Sequence, residues 1–393
     1  MPPLGDPTEA ERCVWRRPMR SRDPTEPHRG TTPLELLFDL CFTVAVAQAS
    51  AHLHHGIARG HAGHALGSFA LVFFAIWWAW MNFTWFASAY DTDDALYRVT
   101  VLAQIAGVLV LAAGVPSAFD ALDFTVMTLG YVAMRVCLVA QWLRAAHDDA
   151  PRRRTARRYA LGISVCQLGW LALLALPSHW RLLGWLVMAP AELLVPVWAE
   201  RAGRTAWHPR HIADRYGCFT LIVLGESILA GTLAIQAALD ARASLLPWLG
   251  VVGGGLAIVS AMWWVYFDEP AHERLKASRT AFRWGYGHLP IFAAAAAVGA
   301  GLSVAADQAA GVVPMSAREA GAAVAVPVAV FLVATWLVHA RPRRRDRLEA
   351  LALPLTAALA LATCAVPGTV LWTGVLLALL VAVRTARAPR DPA

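Results

Sequence analysis

The stretch RYGCFTLIVLGESILAGTL, residues 215–233, is an almost wholly apolar run that contains one carboxylate, Glu226. An apolar run of this length crosses the roughly 30 Å hydrocarbon core of a bilayer as an α-helix. A charged side chain within that core is costly unless it has a partner, a proton or a hydrated cavity. The stretch therefore predicts a membrane-spanning helix with a polar site inside it.

The composition of the whole chain extends this prediction. Of its 393 residues, 58% are hydrophobic and 16% are charged, and the mean hydropathy is +0.49. Only helices and closed barrels satisfy their backbone groups in lipid, and apolar blocks of helical length favour helices. We therefore expect an all-α polytopic membrane protein. Residues 1–30 are polar and rich in proline and arginine, so we do not expect a cleavable signal peptide.

Apolar blocks alternate with turn residues and charges along the chain, and they predict about twelve transmembrane helices. The predicted spans cover residues 34–56, 67–88, 98–117, 125–145, 159–177, 182–199, 214–236, 245–267, 285–305, 320–340, 349–366 and 369–385.

The distribution of basic residues predicts the orientation. With a cytoplasmic N-terminus, the 34 lysines and arginines fall on cytoplasmic segments except for Arg135 within a span and four on the outer side: Arg59, Arg181, Arg242 and Arg318. This asymmetry predicts an inner (plasma) membrane protein with both termini in the cytoplasm. The net charge of +7 is then explained by topology and by anionic lipid, and we expect no nucleic-acid partner.

Three pairs of segments suggest an internal duplication. Cys41-Phe42-Thr43 matches 218–220, with Ser50 facing Ser227; WWAWMNF (77–83) resembles WWVYFDE (263–269), and the segment 97–114 resembles 286–301. The three pairs occur in the same order along the chain, so we predict two six-helix repeats over 32–203 and 204–388. They follow a polar tail over 1–31. Because six is even, the repeats would be parallel, with a site expected where they meet.

Five ordered motifs carry a family resemblance. The segments LELLFDLCFTVAVAQ, DTDDALYR (91–98), HIADRYGCFTLIVLGES (211–227), WWVYFDE and YGHLPIF together resemble the bacterial low temperature requirement protein A (LtrA) family. Asp214, Tyr216 and Cys218 depart conservatively from the family pattern. The resemblance implies an integral membrane protein that supports growth in the cold, and it implies no particular substrate.

Polar residues within or beside the predicted spans are the candidate functional residues. Glu35 and Asp39 share one face of the first helix, and Thr43 and Ser50 continue that stripe. Glu226 is interpreted as an ion-pair partner, a proton carrier or the lining of a hydrated cation path. Arg135 in the fourth predicted span and Glu192 in the sixth are also deep, and one interpretation is that they pair with each other. The candidates for an ion or solute pathway are Glu35, Asp39, Asp91, Asp93, Asp94, Arg98, Arg135, Glu192, Asp214, Arg215, Glu226, Asp268 and His288.

Three functions fit these residues. The first and favoured one is a transporter or channel for an ion or small solute; the second is a non-catalytic factor for membrane stress or cold growth. The third is a membrane-embedded lipid enzyme that holds Mg²⁺ between Asp91, Asp93 and Asp94.

No P-loop, GxSxG or HExxH motif occurs, which favours a non-enzymatic role, and no catalytic residue is assigned. The sequence specifies no cofactor, metal or oligomeric state. The histidine-rich tract 52–64 is expected to be a solvated, pH-sensitive loop.

Overall fold

The computed structural model describes residues 15–27, 29–240, 245–268, 271–275, 278–339 and 347–387. The basic cluster 341–346, Arg242 and the first 14 residues lie outside these ranges. Over the described residues the chain forms thirteen α-helices and no strand, which confirms the all-α class. Within these described ranges, nine helical segments are long and apolar enough to cross a membrane. The protein is therefore a multi-pass membrane protein that contacts the lipid bilayer.

Each of the twelve predicted spans coincides with a helix longer than seven residues. The helices are α1 Pro33–Ala58, α2 Ala62–Tyr90, α3 Ala95–Ala113, α4 Val115–Ala121, α5 Thr125–Asp148, α6 Arg153–Leu174, α7 Ser178–Glu200, α8 Pro209–Asp240, α9 Leu245–Phe267, α10 Ser278–Ala309, α11 Ala317–His339, α12 Arg347–Ala362 and α13 Thr369–Arg387.

The third predicted span, 98–117, differs from the structure because it is broken into α3 and the short α4. Pro116 is the second residue of α4 and has no backbone N–H to donate to the preceding turn. Gly114 lies at the break, and a Cβ atom there would come within 2.4 Å of the Met127 nitrogen. The break thus occurs where α3 and the start of α5 contact each other through their backbones.

The described chain divides into two compact units. The described residues of the first unit lie within 15–41, 79–114 and 124–212, and those of the second lie within 42–78, 115–123 and 213–387. Both α1 and α2 contribute one part to each unit. The division into repeats over 32–203 and 204–388 stays a prediction.

The first unit is held by successive helix contacts and an aromatic core. In this unit α3 packs on α5, α5 on α6 and α6 on α7. Trp142 of α5 stacks on Tyr159 with ring centroids 4.2 Å apart, and it meets Phe86 of α2 edge-on at 4.8 Å. Large aromatic rings in such contacts stabilise a core beyond their buried area alone.

The second unit is held by close approaches between helices. Here α10 packs on α11 and α9 on α13. A Cβ atom on Gly301 would lie 2.1 Å from the Ala323 carbonyl oxygen, and one on Gly254 would lie 2.6 Å from that of Val370. Small residues at these positions let the helix backbones approach each other, which is the usual basis of helix association in lipid.

Two serines contact neighbouring carbonyls of α10 within the second unit. Ser50 of α1 donates to the Ala296 carbonyl and Ser227 of α8 donates to the Ala295 carbonyl, each at 3.4 Å. These serines are equivalent in the proposed duplication.

Candidate functional site

The start of α1 carries a group of buried charged side chains within the first unit. We call Arg29, Glu35, Asp91 and His211 the entry cluster. The Glu35 carboxylate accepts hydrogen bonds from the Thr32 backbone N–H at 2.8 Å and the Thr32 hydroxyl at 3.0 Å, while the Glu35 N–H faces that hydroxyl at 3.3 Å. This reciprocal arrangement is a capping box, which explains why α1 begins here.

The members of the entry cluster lie within ion-pair distance of one another. The His211 Nε2 atom is 3.1 Å from Glu35, and an Arg29 nitrogen is 3.9 Å from both Glu35 and Asp91. Each of the four side chains is at most 5% exposed. Arg22 adds a contact of 3.5 Å to Asp91. Two acids, one arginine and one histidine thus share one buried polar volume, and the partly exposed Arg22 contacts it from the edge.

The polar segment before α1 is part of this arrangement. Arg29 donates to the carbonyl oxygens of Ala87 at 2.8 Å and Ser88, both in the last turn of α2. The Arg22 backbone N–H donates to the Ala89 carbonyl at 2.9 Å, and the His208 ring lies 2.9 Å from the Glu26 carbonyl. Residues 15–27 and 29–31, which the sequence presented as a polar tail, therefore pack on the helix ends of the first unit.

Burial shifts the titration of the two charged groups that lie outside the spans. Burial, with a smaller contribution from the neighbouring Glu35 carboxylate, raises the pKa of Asp91 to about 6, although Arg29 and Arg22 oppose the shift. Burial also lowers the pKa of Arg29. Desolvation disfavours the charged form in both cases. Asp91 can therefore gain or release a proton close to neutral pH.

Asp39 lies one helical turn further along α1. Its carboxylate accepts a hydrogen bond of 2.6 Å from the Trp80 indole N–H of α2, and the Asp39 residue is 1% exposed. Asp39 is the seventh residue of α1, about 9 Å along the helix axis from its start. The carboxylate is therefore held inside a membrane-spanning helix, next to the entry cluster in sequence and on the same face.

The other acids of DTDD have separate partners. Asp93, in a left-handed conformation with φ 45°, binds Arg98 through two contacts of 2.7 and 3.0 Å, and this hydrogen bonding lowers the pKa of Asp93. Asp94 caps α3 by accepting from the Tyr97 N–H at 2.8 Å and also binds Arg144. No group of three metal-ligating acids, histidines or cysteines is found in the described ranges. The three carboxylates are thus dispersed over different cations, which does not favour a shared Mg²⁺ site.

Arg135 and Glu192 form the deep pair that the sequence suggested. Their charged atoms are 3.5 Å apart and both side chains are at most 2% exposed. Glu192 also accepts from Tyr131 at 3.0 Å, Gln167 at 3.0 Å and Trp170 at 3.1 Å. This network neutralises and hydrogen-bonds the glutamate, so it suits a structural clasp between α5, α6 and α7.

The remaining candidates lie in the second unit and are spread along it. Asp268 binds Arg384 at 2.7 Å, Asp214 is exposed and Arg215 is fully buried. Glu226 is half-buried on α8, and no hydrogen bond or ion pair to it occurs among the described residues. Its helical neighbours Ile228 and Leu229 are more than half exposed. The structure therefore brings Glu226 to none of these three candidates.

His288 is the most highly connected candidate of the second unit. Its Nδ1 atom is 2.7 Å from the Trp284 carbonyl, and its Nε2 atom is 3.1 Å from the Tyr266 hydroxyl and 3.2 Å from Nε2 of His339. Sequence reasoning missed Tyr266 and His339. Tyr266 lies in the motif WWVYFDE, but His339 ends α11 with no motif around it.

Arg29 and His211 were also missed in the first unit. Arg29 lies in the segment interpreted as a tail, and His211 opens the motif HIADRYG, so only His211 had a signal in the sequence.

The outer histidines differ from the expected loop. His52, His54 and His55 lie in the last turns of α1, and His54 is 2.7 Å from Asp307 of α10. His64, in α2, lies 2.9 Å from the Phe119 carbonyl. The tract is helical because the turn between α1 and α2 is confined to 59–61, where Gly60 adopts φ +79°.

Comparison with known proteins adds two findings. The model of the family described as Bacterial low temperature requirement A protein (LtrA) matches residues 30–386. The chain is also 28% identical over 290 residues to "Uncharacterized protein RA0937" of Rhizobium meliloti (strain 1021), an alignment that covers 69% of this chain and 68% of the relative.

Proposed function

We propose that this chain, which belongs to the Bacterial low temperature requirement A protein (LtrA) family, transports protons or a small cation across the plasma membrane. The basic residues of its sequence support cytoplasmic N- and C-termini. The entry cluster would then lie at the cytoplasmic end of the spans.

The observation that carries this proposal is the buried Asp39 carboxylate inside α1. Ionisable side chains within spans are costly, and they usually mark ion pathways or proton relays. Asp39 lies one turn from Glu35, which contacts His211 and Arg29. Asp91, with a pKa of about 6, would exchange protons at the edge of this group. Together these residues supply successive proton-accepting groups from the helix start into the membrane.

The deep pair is assigned a different role. Glu192 is balanced by Arg135 and three neutral donors. We assign this network to stability rather than to conduction. Glu226 remains a separate pathway candidate because it is an intramembrane acid without an ion-pair partner among the described residues.

The sharpest test replaces Asp39 by asparagine. The amide oxygen of Asp39→Asn can still accept the Trp80 hydrogen bond, so the substitution removes the titrating group with little change in shape. Trp80→Phe is the reciprocal variant, because it removes the donor and keeps the carboxylate. Asp120→Asn is the matched control, since the Asp120 side chain is 74% exposed.

Flux is measured in liposomes with an internal pH dye and an imposed potassium diffusion potential. Wild type and Asp120→Asn should pass protons or a monovalent cation. The flux through Asp39→Asn should be at least about tenfold lower than through wild type. Glu226→Gln is measured in parallel. Normal flux through Asp39→Asn would remove the assigned role of Asp39, and wild-type liposomes as tight as empty ones would remove the transport proposal.

A further inference from the structure

We propose that Tyr266, His288 and His339 bind a divalent first-row transition metal ion, with Zn²⁺ the best match. The three residues come from α9, α10 and α11 of the second unit. They are at most 4% exposed. The proposal is independent of transport, because none of these residues belongs to the entry cluster.

The tautomer of His288 provides the first step. The Trp284 carbonyl can only accept a hydrogen bond, so the His288 Nδ1 atom at 2.7 Å must carry the proton. The Nε2 atom then presents a lone pair. A histidine whose Nδ1–H is fixed by a backbone carbonyl is the usual form of a metal ligand.

The convergence of donors on that lone pair provides the second step. The Tyr266 hydroxyl lies 3.1 Å from His288 Nε2, and the Nε2 atom of His339 lies 3.2 Å from it. The His288 Nε2 lone pair can accept a good hydrogen bond from only one of these two groups, and the Tyr266 hydroxyl also has the Thr220 side chain as a hydrogen-bond partner. Ligand atoms about 2.0–2.1 Å from a tetrahedral Zn²⁺ are separated by about 3.3 Å, which matches the observed spacings.

The surroundings offer a third step. Trp284 and Thr335 lie one helical turn before His288 and His339, respectively. The Trp284 indole nitrogen and the Thr335 hydroxyl are buried, and neither has a hydrogen-bond partner in the described part of the chain. Buried polar atoms normally find a partner. A water molecule that completed the metal coordination would keep one lone pair free and would accept a hydrogen bond from one of these two groups.

The ligand set selects the class of ion. Imidazole nitrogens suit Zn²⁺, Fe²⁺, Ni²⁺ and Cu²⁺ rather than Ca²⁺ or Mg²⁺, which prefer oxygen. Metal binding would also deprotonate or polarise the Tyr266 hydroxyl and so reduce the net charge of the site.

The test uses the full chain in detergent with an affinity tag free of histidine. After dialysis against Zn²⁺ and gel filtration, metal content is measured by mass spectrometry. His288→Gln and His339→Gln should each carry about one equivalent less than wild type, and Tyr266→Phe should bind at least about tenfold more weakly. His147→Gln, whose side chain is 77% exposed, is the matched control and should equal wild type. Metal held by the outer histidines is the same in all variants and cancels in the comparison.

A second readout uses Co²⁺, whose visible absorption reports its ligands. The wild-type spectrum should show tetrahedral bands that Tyr266→Phe shifts and His288→Gln abolishes. Gel-filtration profiles identify folded variants; if His288→Gln fails to fold, His339→Gln and Tyr266→Phe carry the test. Equal Zn²⁺ content in wild type and folded His339→Gln, or a Co²⁺ spectrum unchanged by Tyr266→Phe, would overturn the proposal.

Discussion

Replacing Asp91 by asparagine should make the protein more stable at neutral pH. The Asp91 side chain is 5% exposed and burial is the main cause of its raised pKa. A pKa raised from 3.8 to about 6 corresponds to a cost of about 3 kcal/mol for keeping the carboxylate ionised in the folded state. Asparagine has nearly the same shape and carries no charge, so it should avoid most of that cost.

The expected pH dependence follows from proton binding in the two states. Between about pH 4 and pH 6 the folded state holds a proton on Asp91 that the unfolded state has released. The free energy of unfolding of wild type should therefore fall as the pH rises through this window. Asp91→Asn should lack this contribution, so the two proteins should be equally stable near pH 4 and differ most above pH 6.

The assay is unfolding in detergent from pH 4 to 7.5, followed by the fluorescence of the 17 tryptophans. Asp93→Asn is the matched control in the same loop. The pKa of Asp93 is lowered by its hydrogen bond to Arg98, and the Asp93 side chain is 56% exposed. Its replacement should cost at most about 1 kcal/mol above pH 4. If Asp91→Asn is less stable than wild type at pH 7, the arginine contacts outweigh burial and the reasoning is wrong.

Two further predictions concern packing and the deep pair. Glu192→Gln should lower the free energy of unfolding by about 3–5 kcal/mol because it leaves the Arg135 charge buried without its counter-ion. The double variant Arg135→Met/Glu192→Gln should recover most of this loss. Equal losses in the single and the double variant would contradict the prediction. Gly301→Ala should destabilise by about 1–3 kcal/mol because its Cβ would meet the Ala323 carbonyl. Gly253→Ala, with nothing within 4 Å of the added Cβ, should be neutral or stabilising; unfolding midpoints of both variants check this.

The sequence predicted the helices well because membrane spans have a strong signal. Twenty-residue apolar blocks leave few alternatives in lipid, and each of the twelve predicted spans has its helix. The break at Gly114 was missed because it depends on Pro116 and on contact with α5, and both α3 and α4 are apolar. Family membership was also predictable, since five motifs occur in order.

The candidate sites were only partly predictable. The pairing of Arg135 with Glu192 was suggested because two opposite charges in apolar spans require a partner. The entry cluster was not, because Arg29 lies in a polar segment that resembles an unstructured tail. His339 had no signal either, since its importance comes from the crossing of α10 and α11. Contacts between residues distant in the chain are set by helix packing, which hydropathy alone does not determine.

The contact between Glu35 and His211 has a consequence for biosynthesis. The two residues are separated by 176 positions, so ribosomes working at about 5–20 residues per second need roughly 9–35 s to supply the second after the first. During this interval Glu35 and Arg29 stand at the membrane surface without their later partner, and water or lipid headgroups must solvate them. The contact between Glu35 and His211 therefore forms only after more than half of the chain has been synthesised, so the entry cluster is completed late in translation.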